Sequence, residues 1–203
     1  MILLVCAVNE ELRHYQPRPH VEMLVTGVGP VEASIATTRA LAISPPQLVV
    51  NAGIAGGFRG RAAVGDALAI ESDHFADLGL EDRTAFPPLP GGTRLTAHAE
   101  SDPALVRLAR EVGMRVGRAL TVATVTTSDA RARKLSEVFD ADVEAMEGFA
   151  VLRAAAAAAI PALELRAVSN LVGPRETSGW DFDAGARALA TLVDRVLDAL
   201  PQT

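Results

Sequence analysis

Two glutamates and an asparagine, Glu11, Glu147 and Asn170, are the side chains of this sequence best placed to act together on a bond. Glu11 follows a short aliphatic run, Glu147 follows Met146 at a junction between apolar segments, and Asn170 ends the run at 163–168. One carboxylate can activate water, a second can hold the hydroxyls of a sugar ring as it gains oxocarbenium character, and an amide can hold a polar leaving group. Cleavage of a sugar–base bond is therefore a reaction these residues permit. Each also has a plainer reading. A glutamate can be solvated or complement a helix start, and an asparagine can cap a turn. For Glu147 the plainer reading is the weaker one, because Val143, Ala145, Met146 and Phe149 imply a buried neighbourhood, and a buried carboxylate needs partners.

The elements that must position these residues follow from the hydrophobic pattern. Residues 2–8 form a continuous aliphatic run, the pattern of a strand buried on both faces, and 21–26, 48–52, 66–72, 118–126 and 163–168 read as further strands. Between them, 30–42, 104–112, 130–139 and 183–200 carry helical spacing, and Pro30 and Asp102-Pro103 suit helix starts. The alanines at 154–159 read as a tightly packed helix. Gly53 to Gly57 reads as a loop opening from a strand end. Residues 73–101, with their Pro and Gly cluster, read as an irregular segment suited to a lid or a subunit contact.

Strands alternating with helices give an α/β fold with a mostly parallel sheet, built as one domain over 1–203. In such sheets ligands sit at the carboxyl ends of strands. Polar residues gather at several of these ends: Glu10 and Glu11, the Gly53 loop, Thr126 to Asp129, and Ser169-Asn170. Their convergence makes a pocket the better reading of Asn170.

Composition narrows the partners. The chain has 203 residues, 49% hydrophobic and 22% charged, which is globular. With net charge -6, no basic cluster and only 4% aromatics, nucleic acid is excluded as a partner. No apolar stretch reaches membrane-spanning length and the first run leads into Asn9-Glu10-Glu11, so a cytoplasmic protein with no membrane contact is expected. The single cysteine, Cys6, reads as a small buried hydrophobe. There is no P-loop and no Gly-x-Ser-x-Gly elbow, and the four histidines lack metal-ligand spacing. No metal and no cofactor is expected.

The order of the short motifs resembles the nucleoside phosphorylase and nucleosidase superfamily, and within it the futalosine hydrolases. The segments are Ala7-Val8-Asn9-Glu10-Glu11, Thr26 to Ala33, Asn51 to Gly57, Val64-Gly65-Asp66, Met146-Glu147-Gly148 and Arg166 to Arg175. The resemblance implies a three-layer α/β/α fold with a mixed, mostly parallel central sheet, and a homodimer or larger homo-oligomer. It implies a small-molecule purine nucleoside as substrate, with Glu11 activating water and Glu147 on the ribose 2′ and 3′ hydroxyls. Met146 then lies under the ribose, Gly53 and Ile54 belong to the binding loop, and Asn170 meets the purine at N7.

Two departures refine the reading. Methylthioadenosine/adenosylhomocysteine nucleosidases carry Asp where this chain has Asn170. An amide can donate to a purine O6 while its carbonyl accepts from N7–H, which suits hypoxanthine over adenine. Ile54 stands where phosphorylases and nucleosidases often carry Ser or Thr, which favours water over phosphate as nucleophile. The resemblance thus implies hydrolysis of futalosine in menaquinone biosynthesis, with Arg175 a candidate for its aryl carboxylate and Trp180 or Phe86 for its ring. The stacking aromatic of the nucleosidases is replaced by Arg131, which leaves base stacking unassigned. The alternatives are an adenine-releasing nucleosidase, a purine nucleoside phosphorylase, or a nucleoside-binding module without turnover.

Overall fold

The structure is a computed structural model that describes residues 1–80, 91 and 94–200. Among these, eight strands form one mixed sheet: β1 (Ile2–Cys6), β2 (Val21–Val25), β3 (Leu48–Gly57), β4 (Ala67–Phe75), β5 (His98–Glu100), β6 (Arg115–Thr121), β7 (Val143–Ala145) and β8 (Ala162–Leu171). Five helices cover it: α1 (Pro30–Ile43), α2 (Pro103–Glu111), α3 (Asp129–Phe139), α4 (Gly148–Ala157) and α5 (Phe182–Ala199). The pairs β1–β2, β1–β3, β3–β8, β4–β6 and β6–β7 are parallel, and β3–β7, β4–β5 and β4–β8 antiparallel. The α/β class and the mixed, mostly parallel sheet are as expected.

The sheet also curls shut. β3, β8, β4, β6 and β7 pair in succession, and β7 returns to the carboxyl end of β3 at Gly56 and Gly57. Side chains alternate across a strand, so each face acquires its own core. Leu4, Cys6, Val50, Leu163 and Leu165 pack against Leu189, Val193 and Val196 of α5. Leu3, Val5 and Val49 face the opposite way, toward Ala33 and Leu41 of α1 and Val151 and Leu152 of α4. A third cluster, Ala55, Leu68, Ile70, Ala119, Val143, Ala145 and Val168, draws on all five ring strands and fills the ring. Cys6 is buried as anticipated, and burial, then the charges of Glu11 and Glu10, push its thiol up to about 12.

Several boundaries differ from the sequence reading. Residues 53–57 are not a loop but the end of β3, which their pairing with β7 and β8 keeps extended. Ser169 and Asn170 lie inside β8, where a bulge between Ala55 and Gly56 lets Val168 and Asn170 pair with successive residues of β3 and leaves Ser169 unmatched. The strand expected at 118–126 is β6, which ends at Thr121. The segment 73–101 is not wholly irregular, since β4 runs to Phe75 and β5 pairs back onto it. Phe86 lies outside the described residues. Of the alanine run, only Ala155 is buried, so the end of α4 is a solvated surface and not a packed one. No helix among the described residues is long and apolar enough to cross a membrane.

Candidate active site

The cleft lies where the carboxyl ends of β1, β3, β7 and β8 meet, and has a volume of about 200 Å³. Glu11, Ile54, Gly56, Met146, Glu147, Asn170 and Trp180 all line it. Residues 135 positions apart in the chain, Glu11 and Met146, are therefore neighbours in one site.

Glu11 stands on a 3₁₀ turn, Asn9–Leu12, immediately after β1. One carboxylate oxygen accepts from the Ala7 N–H at 2.8 Å and the Val8 N–H at 3.2 Å, and the other from the Ile54 N–H at 3.0 Å. These bonds fix the carboxylate without neutralising it. Burial raises its pKa, while Arg166 and the backbone donors oppose the rise. A carboxylate poised above its ordinary range is a stronger base toward water. Glu10, its neighbour in sequence, is exposed and takes no part.

Glu147 is the residue before α4, where a side chain often caps the helix. It does not cap here. Its carboxylate instead accepts from the Gly29 N–H at 2.9 Å, across to the turn before α1. Gly29 has φ of 96°, a conformation that favours glycine, so the donor is aimed by a backbone that few other residues adopt. The start of α4 is served from elsewhere, by the Thr121 hydroxyl, which accepts from the Phe149 N–H at 2.8 Å.

Asn170 is buried at 6% exposure. Its Nδ2 donates to the Leu171 carbonyl at 3.1 Å and its Oδ1 accepts from the Ser169 hydroxyl at 2.9 Å. The Leu171 carbonyl sets which end of the amide is nitrogen, and leaves one N–H and one oxygen lone pair free.

Behind the cleft wall lies a buried charge cluster that the sequence reading did not identify. Arg166 and Glu164, both on β8, and Asp73 on β4 are all at most 1% exposed. Arg166 Nε donates to Glu164 Oε1 at 2.8 Å. The other end of the guanidinium lies over Gly53, where a Cβ would come within 2.1 Å of Nη1 and 3.0 Å of Glu11 Oε1. Gly53 is thus not one of the cleft-lining residues. It makes room for Arg166 to approach Glu11 from behind. Burial, and then the Glu164 charge, push the Asp73 carboxyl well above the usual range. Gly148 lacks the Cβ that would collide with both carboxyls at 2.2 Å.

The remaining candidates lie outside this core. Trp180 is 51% exposed at the cleft mouth. Arg175 is exposed on a short 3₁₀ turn and lines a smaller adjoining cleft with Asn170, Thr126 and Trp180. Arg131 is not among the residues that line the cleft. It bonds the Thr126 hydroxyl and pairs with Asp77. Among the described residues no group of three His, Cys, Asp or Glu side chains is arranged to hold a metal ion.

Residues 14–200 match the family model of the phosphorylase superfamily. The chain is 43% identical over 182 residues to futalosine hydrolase of Streptomyces coelicolor, covering 86% of this chain and 76% of that one. It is 36% identical over 179 residues to futalosine hydrolase of Thermus thermophilus, covering 86% and 80%. In fold it is similar to the native structure of futalosine hydrolase of Helicobacter pylori, with a TM-score of 0.79, 19% identity, and 98% and 99% of the two chains covered. The chain belongs to the phosphorylase superfamily and, within it, to the futalosine hydrolase family.

Proposed function

We propose that the chain hydrolyses the N-glycosidic bond of futalosine, releasing hypoxanthine and dehypoxanthinyl futalosine, as a step of menaquinone biosynthesis. The observation that carries this reading is the meeting of Glu11, Glu147 and Asn170 in one cleft, with both carboxylates hydrogen-bonded and unpaired with a lysine or arginine on the cleft side. Glu11 takes a proton from water as the oxygen bonds to C1′ of the ribose. The C1′–N9 bond breaks, its electrons pass to the base, and N7 takes a proton from solvent, since Asn170 has none to give. Glu147 accepts from the 2′ and 3′ hydroxyls, and Met146 supplies the apolar floor under the sugar. Asn170 donates to O6 and accepts from N7–H.

Water is the nucleophile in this scheme because a phosphate needs a cradle of cations and hydroxyls. Among the described residues lining the cleft there is no arginine or lysine, and the Ile54 N–H is already engaged by Glu11. In this reading Arg175 takes the aryl carboxylate on the 5′ side and Trp180 its ring; that both line the small cleft adjoining the site supports it. A cytoplasmic homo-oligomer fits the surface. Val28, Val31 and Ile35 are 58–66% exposed, and Val28 also lines the cleft, so a second copy covering them also borders the site.

The test is direct. The protein is incubated with futalosine, inosine and methylthioadenosine, with and without phosphate, and the released base is identified. Hypoxanthine from futalosine without phosphate is the expected result. Adenine from methylthioadenosine alone, or strict dependence on phosphate, overturns the reading. Light scattering reports the oligomeric state.

A further inference from the structure

Glu164 is fully buried, and the chemistry proposed above gives it no task. It reaches the site through Arg166, whose guanidinium bridges two carboxylates. Nε donates to Glu164 Oε1 at 2.8 Å, while Nη1 turns the other way, over Gly53. Nη1 and Glu11 Oε1 both lie within 3.0 Å of the point where a Gly53 Cβ would sit. Their separation is inside the ~6 Å range in which opposite charges favour each other's ionised forms.

Glu11, Glu147, Glu164 and Asp73 all act on this one cation. Asp73 on β4 adds no negative charge. Burial, and then Glu164, push it well above the usual range, so it keeps its proton, and its Oδ2 accepts from the Thr121 hydroxyl at 2.9 Å. Glu164 is therefore the anion behind Arg166, and Glu11 is the anion in front. The other ionisable groups around Glu11 are Cys6 on β1, Glu10 on the same turn and Glu147 before α4. Asp183 on α5 is tied to Arg13, His14 and Arg187 at the surface. A buried guanidinium with no counterion of its own draws a neighbouring carboxyl down and leaves a weak base. Here burial outweighs Arg166, and the Glu11 carboxyl is raised.

We propose that Glu164 is a positioning residue for the general base. It holds Arg166 by Nε and takes up part of its charge, which keeps Glu11 basic enough to accept a proton from water. This rests on the reading of Glu11 as the base that activates water.

NMR titration of isotope-labelled glutamate carboxyls in the full chain tests it, with the Glu11 signal identified by its loss in Glu11→Gln. Glu164→Gln removes the charge and keeps an acceptor for Nε. It is expected to lower the Glu11 midpoint by about one pH unit. The acidic limb of kcat/KM for base release is expected to move down with it, since that limb reports the base of the free enzyme. A folded Glu164→Gln that is slower at every pH with an unmoved midpoint assigns Glu164 to structure alone and overturns the inference. Replacing a buried ion pair by apolar residues is often tolerated, so Glu164→Leu combined with Arg166→Met serves where the single variant does not fold. There the Glu11 midpoint is expected to rise, because nothing then opposes burial, and an unmoved or lower midpoint overturns the inference. Asp73→Asn is expected to leave the midpoint in place, and a fall like that of Glu164→Gln would make Asp73 the counterion instead. The expected midpoints in a protein that releases no base from any nucleoside uphold the charge assignment and remove the proposed function.

Discussion

Arg166 and Glu164 form an ion pair of 2.8 Å in which neither side chain is more than 1% exposed. Both lie on β8, two residues apart, and so on the same face of the strand. Removing one partner of a buried pair leaves the other charge uncompensated. Glu164→Leu is expected to cost roughly 3–5 kcal/mol of stability, read from denaturant unfolding. A loss below about 1 kcal/mol means that Glu11 and Glu147 compensate Arg166 unaided.

Asp73 gives a pH prediction of definite sign. Its carboxyl is raised well above the ordinary range by burial and then by Glu164, so the folded state holds a proton that the unfolded chain releases near pH 4. Its contribution to stability is complete below the unfolded pKa and is lost as pH rises toward the folded one. Asp73→Asn keeps the size of the side chain without a group that titrates, and removes that loss. The variant is expected to gain stability relative to the wild type between pH 5 and pH 8, roughly 1 kcal/mol for each unit of pKa shift removed. Parallel stability curves across that range contradict the protonated assignment.

Gly53→Ala places a methyl within 2.1 Å of Arg166 Nη1, on a guanidinium too buried to swing away. Either β3 or Arg166 has to shift, and Glu11 Oε1 is only 3.0 Å from the same methyl. Turnover is expected to fall about a hundredfold, since small misplacements of a catalytic group carry costs of that order. Steady-state kinetics that match the wild type show that the Glu11 position does not depend on this contact.

Glu147→Gln retains the size of the side chain and an oxygen for the Gly29 N–H. A ribose contact that strengthens as the ring becomes cationic acts on kcat more than on KM. A loss of roughly 100-fold or more in kcat with little change in KM is expected, with the melting temperature within a few degrees of the wild type. A rise confined to KM assigns Glu147 to ground-state binding alone.

The three residues that open the site in sequence were legible because each ends or interrupts a hydrophobic run. Glu11 follows β1, Glu147 precedes α4 and Asn170 sits in the last turn of β8 pairing, so the ordinary logic of open sheets brought them together. The charge cluster was not legible in the same way. In Leu163-Glu164-Leu165-Arg166 the charged residues alternate with leucines, the pattern of a strand with one solvated face. That face is instead closed over at Gly148, the start of α4, which no local pattern announces. Gly53 to Gly57 misled for a related reason. Glycines that read as loop turned out to be strand, kept bare by Arg166, Asn170 and Val168 pressing on them.

The ring that closes through β7 also governs when the molecule can acquire its chemistry. β8 is the last strand among the described residues, yet it sits between β3 and β4, pairing with residues 94 to 114 positions earlier. Contacts of such separation are slow to form, because a long loop must be closed before they repay its entropy. β8 brings Glu164, Arg166 and Asn170 with it. A nascent chain still lacking its last forty residues therefore holds Glu11 and Glu147 without Arg166 and Asn170, and the assembled cleft arrives only with the last of the described strands to be made.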